Sequence, residues 1–270
     1  METYIKYDSP ITFRKVLLPD IKPLIMEYRD SLKFPGDNFM AHLQSEANHY
    51  AMEVKGRLIG AVAIKDRNLG LVYIRPQYKF LERQILERVL SEFNVHYGFA
   101  QAWDYHMMNL YTEFHDKIEN QAYQFQLLDK RQIRTPLFNL TVRLATSADE
   151  IYLNEVDFLK NPGSYIRKQE VWIALNEDGK KVGVGVIQPM IFEDEYLDIG
   201  MFTNKELREH GIGRSILALL MKIVSDSGRI PVAGCHWKNY TARRTLESAG
   251  MTCIGTIFKF SFNKNKLKID

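Results

Sequence analysis

Hydrophobic residues in the second half of the chain fall into short β-rich runs and one clear stripe at helical spacing. The stripe follows Gly211 and returns every three or four residues, which is the period of an amphipathic helix. A turn at 176–179 separates two β-rich runs and indicates a hairpin. The pattern predicts strands at 138–144, 170–175, 181–188, 196–203, 231–235 and 251–262, and helices at 149–168 (broken at 161–163), after Gly211 and at 239–249.

The first half repeats this order of elements in a weaker form. Its pattern predicts strands at 11–17, 50–54, 58–64 and 69–74, and helices at 20–33, 79–93 and 111–128. A shift of about 129 residues lays 74–79 over 203–208. We therefore expect two copies of one fold, in domains at 1–137 and 138–270. The alternative is two unrelated α/β domains whose spacing coincides.

The composition is that of a globular protein and excludes several functional classes. The 270 residues are 46% hydrophobic and 26% charged, and the net charge of +3 is too small for a broad nucleic-acid surface. Two cysteines exclude a disulfide scaffold and a four-cysteine zinc site, and the histidines show no metal-ligand spacing, so no metal is expected. We see neither a signal peptide nor an apolar stretch of about 18 residues, and expect a cytoplasmic protein without membrane contact.

A glycine-rich turn, Arg208-x-x-Gly211-x-Gly213, joins a predicted strand to a predicted helix. Amides at a helix start point outward together and the helix dipole adds positive charge, so such a turn can hold a phosphate. Ile216 occupies the position where a dinucleotide fingerprint needs glycine, and the Gly-Lys-Ser/Thr of a P-loop is absent. The alternative is a tight turn without a ligand.

The order of hairpin, strand, glycine turn, helix, short strand, Asn-x-x-Ala helix and Gly-Met resembles the GCN5-related N-acetyltransferase (GNAT) family. The matching motifs are 208–213, 239–242 and 249–251. The resemblance is good from about 140 to 262 and only topological before 137. It implies a mixed α/β fold of the α+β type, with two GNAT-like domains, each a mixed, mostly antiparallel sheet flanked by helices. It also implies acetyl-CoA as the co-substrate.

The resemblance implies specific roles in the second half. Backbone amides from 209 to 215 would hold the CoA pyrophosphate, Arg208 would shape the loop and Arg214 could add charge. The third strand of that half would pair with the pantetheine arm, and Asn239 would contact the same arm. The implied cofactor-binding residues are Met201, Phe202, Thr203, Arg208, Glu209, His210, Gly211, Ile212, Gly213, Arg214, Ser215 and Asn239.

Transfer of an acyl group to an amine needs a group that removes a proton, and carboxylates can do this. Asp198 and Glu195 are the candidate bases, at the start of the third strand of the second half. The alternative is that the acidic run 193–195 is a solvated turn. Together with Asp198, that run would favour a cationic amine by electrostatic steering.

The chain departs from the family pattern at two places that bear on activity. The family often has a tyrosine, which protonates the leaving thiolate, where this chain has Leu246. The first half has lost the arginine and both glycines of the loop, so we expect it to bind no CoA.

The sequence thus predicts an N-acetyltransferase that acts on a primary amine of a small molecule or peptide, with its CoA site in the second half. One rival is a non-catalytic acyl-CoA-binding or interaction module. Another is an unrelated phosphate-binding α/β domain.

Overall fold

The structure is a computed structural model that describes residues 9–262. The first part of the chain forms β1 Ile11–Val16, α1 Leu18–Asp30, α2 Asn38–Ser45, β2 Asn48–Val54, β3 Arg57–Lys65, β4 Asn68–Ile74, α3 Glu82–Glu92, β5 Tyr97–Gln101, α4 Tyr105–Phe114 and β6 His115–Gln126. The second part forms β7 Thr141–Leu144, α5 Glu150–Glu155, α6 Pro162–Arg167, β8 Val171–Leu175, β9 Lys181–Pro189, β10 Tyr196–Thr203, α7 Ile212–Asp226, β11 Ile230–His236, α8 Tyr240–Ala249 and β12 Thr252–Phe262.

Contacts between residues divide the chain into two units, whose boundaries fall within β6 and β12. The second unit spans Ala122–Ile254, and the first comprises the described residues before and after that span. The expected division after 137 therefore differs from the observed grouping in two places. Residues 122–137 pack with the second unit, and the end of β12 packs with the first.

The first unit has a mixed sheet in the order β1-β2-β3-β4-β5, with the end of β12 added beside β5. All of these neighbours are antiparallel except β4 and β5, which run parallel. Its core lies between this sheet and helices α3 and α4, and includes the fully buried side chains of Tyr111, Phe114 and Phe260.

The second unit repeats the arrangement with the end of β6 beside β11, followed by β10, β9, β8 and β7. Only β10 and β11 run parallel. Helix α7 packs across β9 and β10, and two glycines of β9 permit this close approach. A Cβ on Gly183 would lie 2.7 Å from Ile216 Cδ1, and one on Gly185 would lie 2.8 Å from Leu220 Cδ2. The fold is therefore mixed α/β, with sheets flanked by helices, as predicted.

The prediction of a helix across 111–128 is wrong. Helix α4 ends at Phe114, and β6 runs from His115 to Gln126. Tyr111 and Phe114 are buried on α4, whereas Phe125 is buried on the strand and Ile118 is exposed. The four apolar positions are spaced as on a helix, but they belong to two elements, a helix and a strand.

The other predicted helices and strands are present, with shifts of a few residues at their ends. Two elements, α2 and β5, had no clear signal in the sequence. None of the helices within residues 9–262 is long and apolar enough to span a bilayer.

Candidate functional site

The loop between β10 and α7 adopts an uncommon backbone conformation. After a short 3₁₀ helix at Lys205–Leu207, Glu209 has φ of 66° and Gly211 has φ of 87°. Glycine adopts positive φ without the steric penalty that a side chain brings. Gly211 is the N-cap of α7, and the reversal of hand at these two positions turns the chain sharply into the helix.

This turn exposes a run of unpaired amides. Within residues 9–262, none of the backbone amides from 209 to 214 donates a hydrogen bond, whereas the Ser215 amide donates to the Gly211 carbonyl at 3.1 Å. The Ser215 hydroxyl is also engaged, because it accepts from the Leu137 amide at 3.0 Å. Six successive donors at the positive end of a 15-residue helix can surround an anion, and Ser215 serves the helix itself.

Gly213 lets the first turn of α7 sit against β10. A Cβ there would lie 3.0 Å from Met201 Cε and 3.1 Å from Thr203 Oγ1, which is tighter than ordinary packing. Gly211 is crowded as well, since a Cβ would lie 2.6 Å from Leu137 Cδ1. Gly211 is therefore favoured by its positive φ, and Gly213 by its close contact with the side chains of Met201 and Thr203.

The two arginines of the motif make different contacts. Arg208 donates from Nε to the Thr203 carbonyl at 3.3 Å and stacks over the Phe202 ring at 5.2 Å. Its guanidinium thereby ties the loop to the end of β10. Arg214 instead donates from Nη2 to the Thr135 carbonyl at 3.4 Å. Its charge is directed towards the connecting segment rather than towards the unpaired amides.

Strands β10 and β11 separate beside this loop. Their parallel register covers only three residue pairs, from Tyr196–Ile230 to Asp198–Val232. Beyond Asp198, β10 keeps its antiparallel partner β9, while β11 keeps β6. The remaining stretch of β10, which includes Met201, Phe202 and Thr203, therefore has an open edge towards β11 onto which an extended ligand could add.

The two faces of β10 have different surroundings. Side chains alternate along a strand, so Leu197 and Met201 face the core under α7. Asp198, Gly200 and Phe202 share the other face. Phe202 contacts the Phe158 ring, with 5.6 Å between centroids, and a Cβ on Gly200 would have no neighbour closer than 4.0 Å. Gly200 thus leaves open space beside Asp198.

The two candidate bases differ in their placement. Asp198 is half-buried on the face beside Gly200, whereas Glu195 is exposed and precedes the strand. Burial, together with the nearby Glu195 carboxylate, raises the pKa of Tyr196 to about 12. Tyr196 therefore holds its proton more tightly than an exposed tyrosine does.

The sequence analysis missed a further carboxylate next to this face. Glu170 is 9% exposed, and its Oε2 accepts from the Gln188 amide at 3.2 Å. Gln188 is the β9 residue opposite Asp198. Only the strand register reveals this connection, because 18 residues separate Glu170 from Gln188 in the sequence.

Three further positions bear on the expected chemistry. Asn239 is the N-cap of α8, and its Oδ1 accepts from the Ala242 amide at 3.0 Å. Leu246, where the family often has tyrosine, is 5% exposed within the core. Burial raises the pKa of Cys235 to about 11, so it remains a thiol at neutral pH.

Among residues 9–262, no three His, Cys, Asp or Glu side chains are grouped as metal ligands.

The first unit has a different structure at the equivalent junction. Between β4 and α3 lies a 3₁₀ helix at Pro76–Leu81, in which Tyr78 donates to the Arg75 carbonyl at 2.8 Å. The Glu82 amide donates to Lys79 in the same way. The Tyr78 bond has a counterpart in the second unit, where the Leu207 amide donates to the Asn204 carbonyl at 2.9 Å. The Gly211 amide, which corresponds to that of Glu82, donates no hydrogen bond within residues 9–262.

The strands β4 and β5 also separate, since only Asn68–Tyr97 and Leu69–Gly98 are paired. The opening is filled from within the unit, however. Gln44 donates to the Gly70 carbonyl at 3.1 Å, and a Cβ on Gly70 would lie 2.7 Å from the Leu43 carbonyl oxygen. Helix α2 therefore covers the edge of β4 that the second unit leaves exposed on β10.

A comparison with models of protein families finds a match in the first half of the chain. The model of the acetyltransferase (GNAT) domain matches residues 18–127. This match lies in the half whose loop lacks glycines, where the sequence analysis found only topological resemblance. No curated protein matches the chain in sequence.

Several solved structures share the fold over almost the whole chain. An acetyltransferase of the GNAT family from Colwellia psychrerythraea is 18% identical, with a TM-score of 0.81, 94% of this chain covered and 100% of that chain. A tandem GNAT protein from the clavulanic acid biosynthesis pathway, solved without AcCoA, is 11% identical with a TM-score of 0.63, covering 93% and 98% of the two chains. A GCN5-related N-acetyltransferase from Sphaerobacter thermophilus is 14% identical, with a TM-score of 0.62 and 96% and 97% covered. At these identities the likeness shows the fold.

Proposed function

This chain has the GNAT fold and a GNAT acetyltransferase domain, and from that premise we propose that it is an acetyl-CoA-dependent N-acetyltransferase whose cofactor binds in the second unit. The acceptor is a primary amine of a small molecule or peptide. The first unit binds no CoA, because the backbone amides at its junction are hydrogen-bonded within a 3₁₀ helix and α2 covers the edge of β4.

The run of six unpaired amides from 209 to 214 carries the proposal. The cradle fits a pyrophosphate, because Gly211 adopts its positive φ without strain and neither Gly211 nor Gly213 carries a Cβ beside the amides. The open edge of β10 leads away from this cradle, so Met201, Phe202 and Thr203 can bind an extended pantetheine arm through their backbone. Asn239 caps α8 through its Oδ1, beyond the end of β11. Its side-chain NH2 group can donate to the same pantetheine arm.

The residues on the other face of β10 position and deprotonate the acceptor. A bound acetyl thioester supplies the activated acyl group. Asp198 takes the proton from the amine, directly or through water, because it is half-buried beside the space that Gly200 leaves open. Glu195 is the second candidate base. Tyr196, at the start of β10, is the candidate that would protonate the leaving thiolate, a role that Leu246 cannot perform.

The charge around this face favours a cationic acceptor. Glu170, Glu195 and Asp198 lie on or beside the strands that form it. A local excess of carboxylates raises the local concentration of amines that carry positive charge. We therefore expect diamines or basic peptides to be better acceptors than amino acids with a free carboxylate.

Thiol release from acetyl-CoA with a panel of amines tests the activity, and calorimetry with CoA tests the site. Gly211→Val should weaken CoA binding about 100-fold, a loss of about 2.7 kcal/mol. Gly228→Val is the matched control, because Gly228 also has positive φ (80°) but lies past the end of α7 with open space around it. Equal CoA affinity in the two variants would contradict the site.

A second candidate function is a non-catalytic acyl-CoA-binding module, which the buried Leu246 favours. It predicts CoA binding that Gly211→Val abolishes, without thiol release for any amine. Release that depends on Asp198 supports the enzyme instead.

A further inference from the structure

A cavity of about 500 Å³ lies in the second unit, between the segment 130–136 and the later turns of α7. It is distinct from the amide cradle. Helices rise about 1.5 Å per residue, so Leu219 and Ser225, which line the cavity, lie about 10 and 20 Å along the axis from Ile212. The volume is within the range of sites for small organic ligands, about 300 to 1,000 Å³.

The middle of the cavity is apolar. Ile133 and Pro136 line one side and Ala218 and Leu219 the other. Ile133 and Leu219 also pack against the main core of the second unit, so these walls are fixed. An apolar body of a ligand would bury its surface here without displacing a side chain.

The rim of the cavity is cationic. Arg134 and Lys222 line it, and neither forms an ion pair with another residue in the described part of the chain. Lys130 lines it as well, but its Nζ donates to the Ser225 carbonyl at 2.9 Å at the end of α7. Asp226 is the one carboxylate of the lining. Two available cations therefore face one carboxylate, and an anionic group is favoured over a cationic one.

A buried hydroxyl without a partner gives an independent indication of a ligand. Ser225 lines the cavity and is only 3% exposed, yet its Oγ has no hydrogen-bond partner among residues 9–262. Buried polar groups are nearly always hydrogen-bonded, so an exception calls for a missing partner. A polar atom of a ligand in the cavity would supply it.

We propose that this cavity binds an amphipathic carboxylate. Its apolar body lies on Ile133, Pro136 and Leu219, and its carboxylate accepts hydrogen bonds from the Ser225 hydroxyl and from the nearby cations Arg134 and Lys222. The site is separate from the acetyl-CoA site of the proposed function, and it needs no acyl transfer to operate.

Calorimetry on the full chain with decanoate, below its aggregation concentration, tests the site. Decanoate should bind saturably with one site per chain, and decan-1-ol and acetate should each bind at least about tenfold more weakly. Thr135→Trp, at an exposed lining position, should abolish binding by filling the mouth. Lys222→Glu should weaken binding about tenfold, whereas Arg229→Glu, the same charge change outside the lining, should leave it unaltered.

Ser225→Ala separates a binding role from a structural one. It removes the unpaired hydroxyl, so the affinity for decanoate should fall about fivefold while the melting temperature does not fall. Absence of binding by the unmodified chain overturns the proposal. So does decanoate binding that survives both Thr135→Trp and Lys222→Glu, or binding that saturating CoA abolishes. Because the titration is run without CoA first, its outcome is independent of the proposed activity.

Discussion

The two strand-to-helix junctions differ in how their backbone amides are used. In the second unit, β10 leads through Glu209 and Gly211, both at positive φ, into α7, and six amides stay unpaired. In the first unit, β4 leads through a 3₁₀ helix into α3, and the amides bond within that helix. The sheet is the same in both, so the difference lies in the backbone of a few residues.

Other details of the two units are conserved between the halves. Asp20 Oδ2 accepts from the Leu17 amide at 2.9 Å, and Asp149 Oδ2 accepts from the Thr146 amide at 2.9 Å, at the same offset along the chain as the junctions. In each unit a glycine also lies opposite the last residues of the central strand. Gly60 is paired with Ile74 and Gly183 with Thr203. What the halves share therefore stabilises the fold, and what differs is the pairing of the amides that we propose bind CoA.

The glycines opposite the central strands should give the largest effect. A Cβ on Gly60 would lie 2.1 Å from the Tyr73 carbonyl oxygen, and one on Gly183 would lie 2.4 Å from that of Phe202. Because backbone cannot move aside cheaply, Gly60→Ala and Gly183→Ala should each reduce the free energy of unfolding by roughly 3 kcal/mol or more. Urea unfolding measures this, with Gly179→Ala, at a turn with open space, as the milder control. A much smaller loss of unfolding free energy for one of these two variants would contradict the structural equivalence of Gly60 and Gly183.

Asp198 on β10 has no carboxylate counterpart in the first unit. The first unit has buried Leu69 at the offset that corresponds to Asp198. Asp198→Asn should lower kcat about 100-fold, with the KM for acetyl-CoA little changed, because it removes a proton acceptor and leaves the cradle intact. Steady-state thiol release measures both constants. Glu195→Gln is the matched change, and a larger loss there would reassign the base.

The paired aspartates should differ in their contribution to stability. Asp149 is buried and accepts from Arg143 and Lys181, which hold its pKa well below the usual range, whereas Asp20 is exposed. Asp149→Ala should cost roughly 2 kcal/mol at pH 7, and Asp20→Ala about 0.5 kcal/mol, a typical loss for a helix cap.

The pH dependence of the Asp149 effect follows from the direction of the shift. The folded pKa is depressed, so the stabilisation is present above the unfolded value of 3.8 and is lost as pH falls towards the folded pKa. Unfolding measured at pH 7 and near pH 2 should show the difference between Asp149→Ala and the parent chain shrinking in acid. A constant difference would assign the effect to packing.

The smallest expected effect concerns the junction of the first unit. Arg75 pairs with Glu27 at 2.7 Å, which lowers the pKa of Glu27 through hydrogen bonding and charge. Both side chains are about one-third exposed, so Glu27→Gln should cost less than about 1 kcal/mol at pH 7. The loss should begin to shrink as pH falls below the ordinary pKa of 4.5 and vanish once pH is below the lowered pKa of the folded state, since the protonated carboxyl no longer pairs. The same variant should not create CoA binding.

Local signals accounted for most of the elements and for the centre of the candidate site. The glycines at 211 and 213 predicted the turn, because positive φ and close approach to β10 both require them. The helical prediction across 111–128 failed, because apolar spacing alone could not show that the chain changes from α4 to β6 at His115. The role of Glu170 was also hidden, since it depends on the register between β9 and β10.

The sequence by itself predicted most of the elements and the glycine turn, because these follow from spacing and from the conformational freedom of glycine. Only the tertiary structure decided which amides are unpaired, that α2 covers the edge of β4, and that β6 and β12 exchange between the units. These features depend on hydrogen bonds and contacts between residues far apart in the chain. Local propensity and spacing carry no information about them, since the same residues could satisfy their backbone groups in several ways.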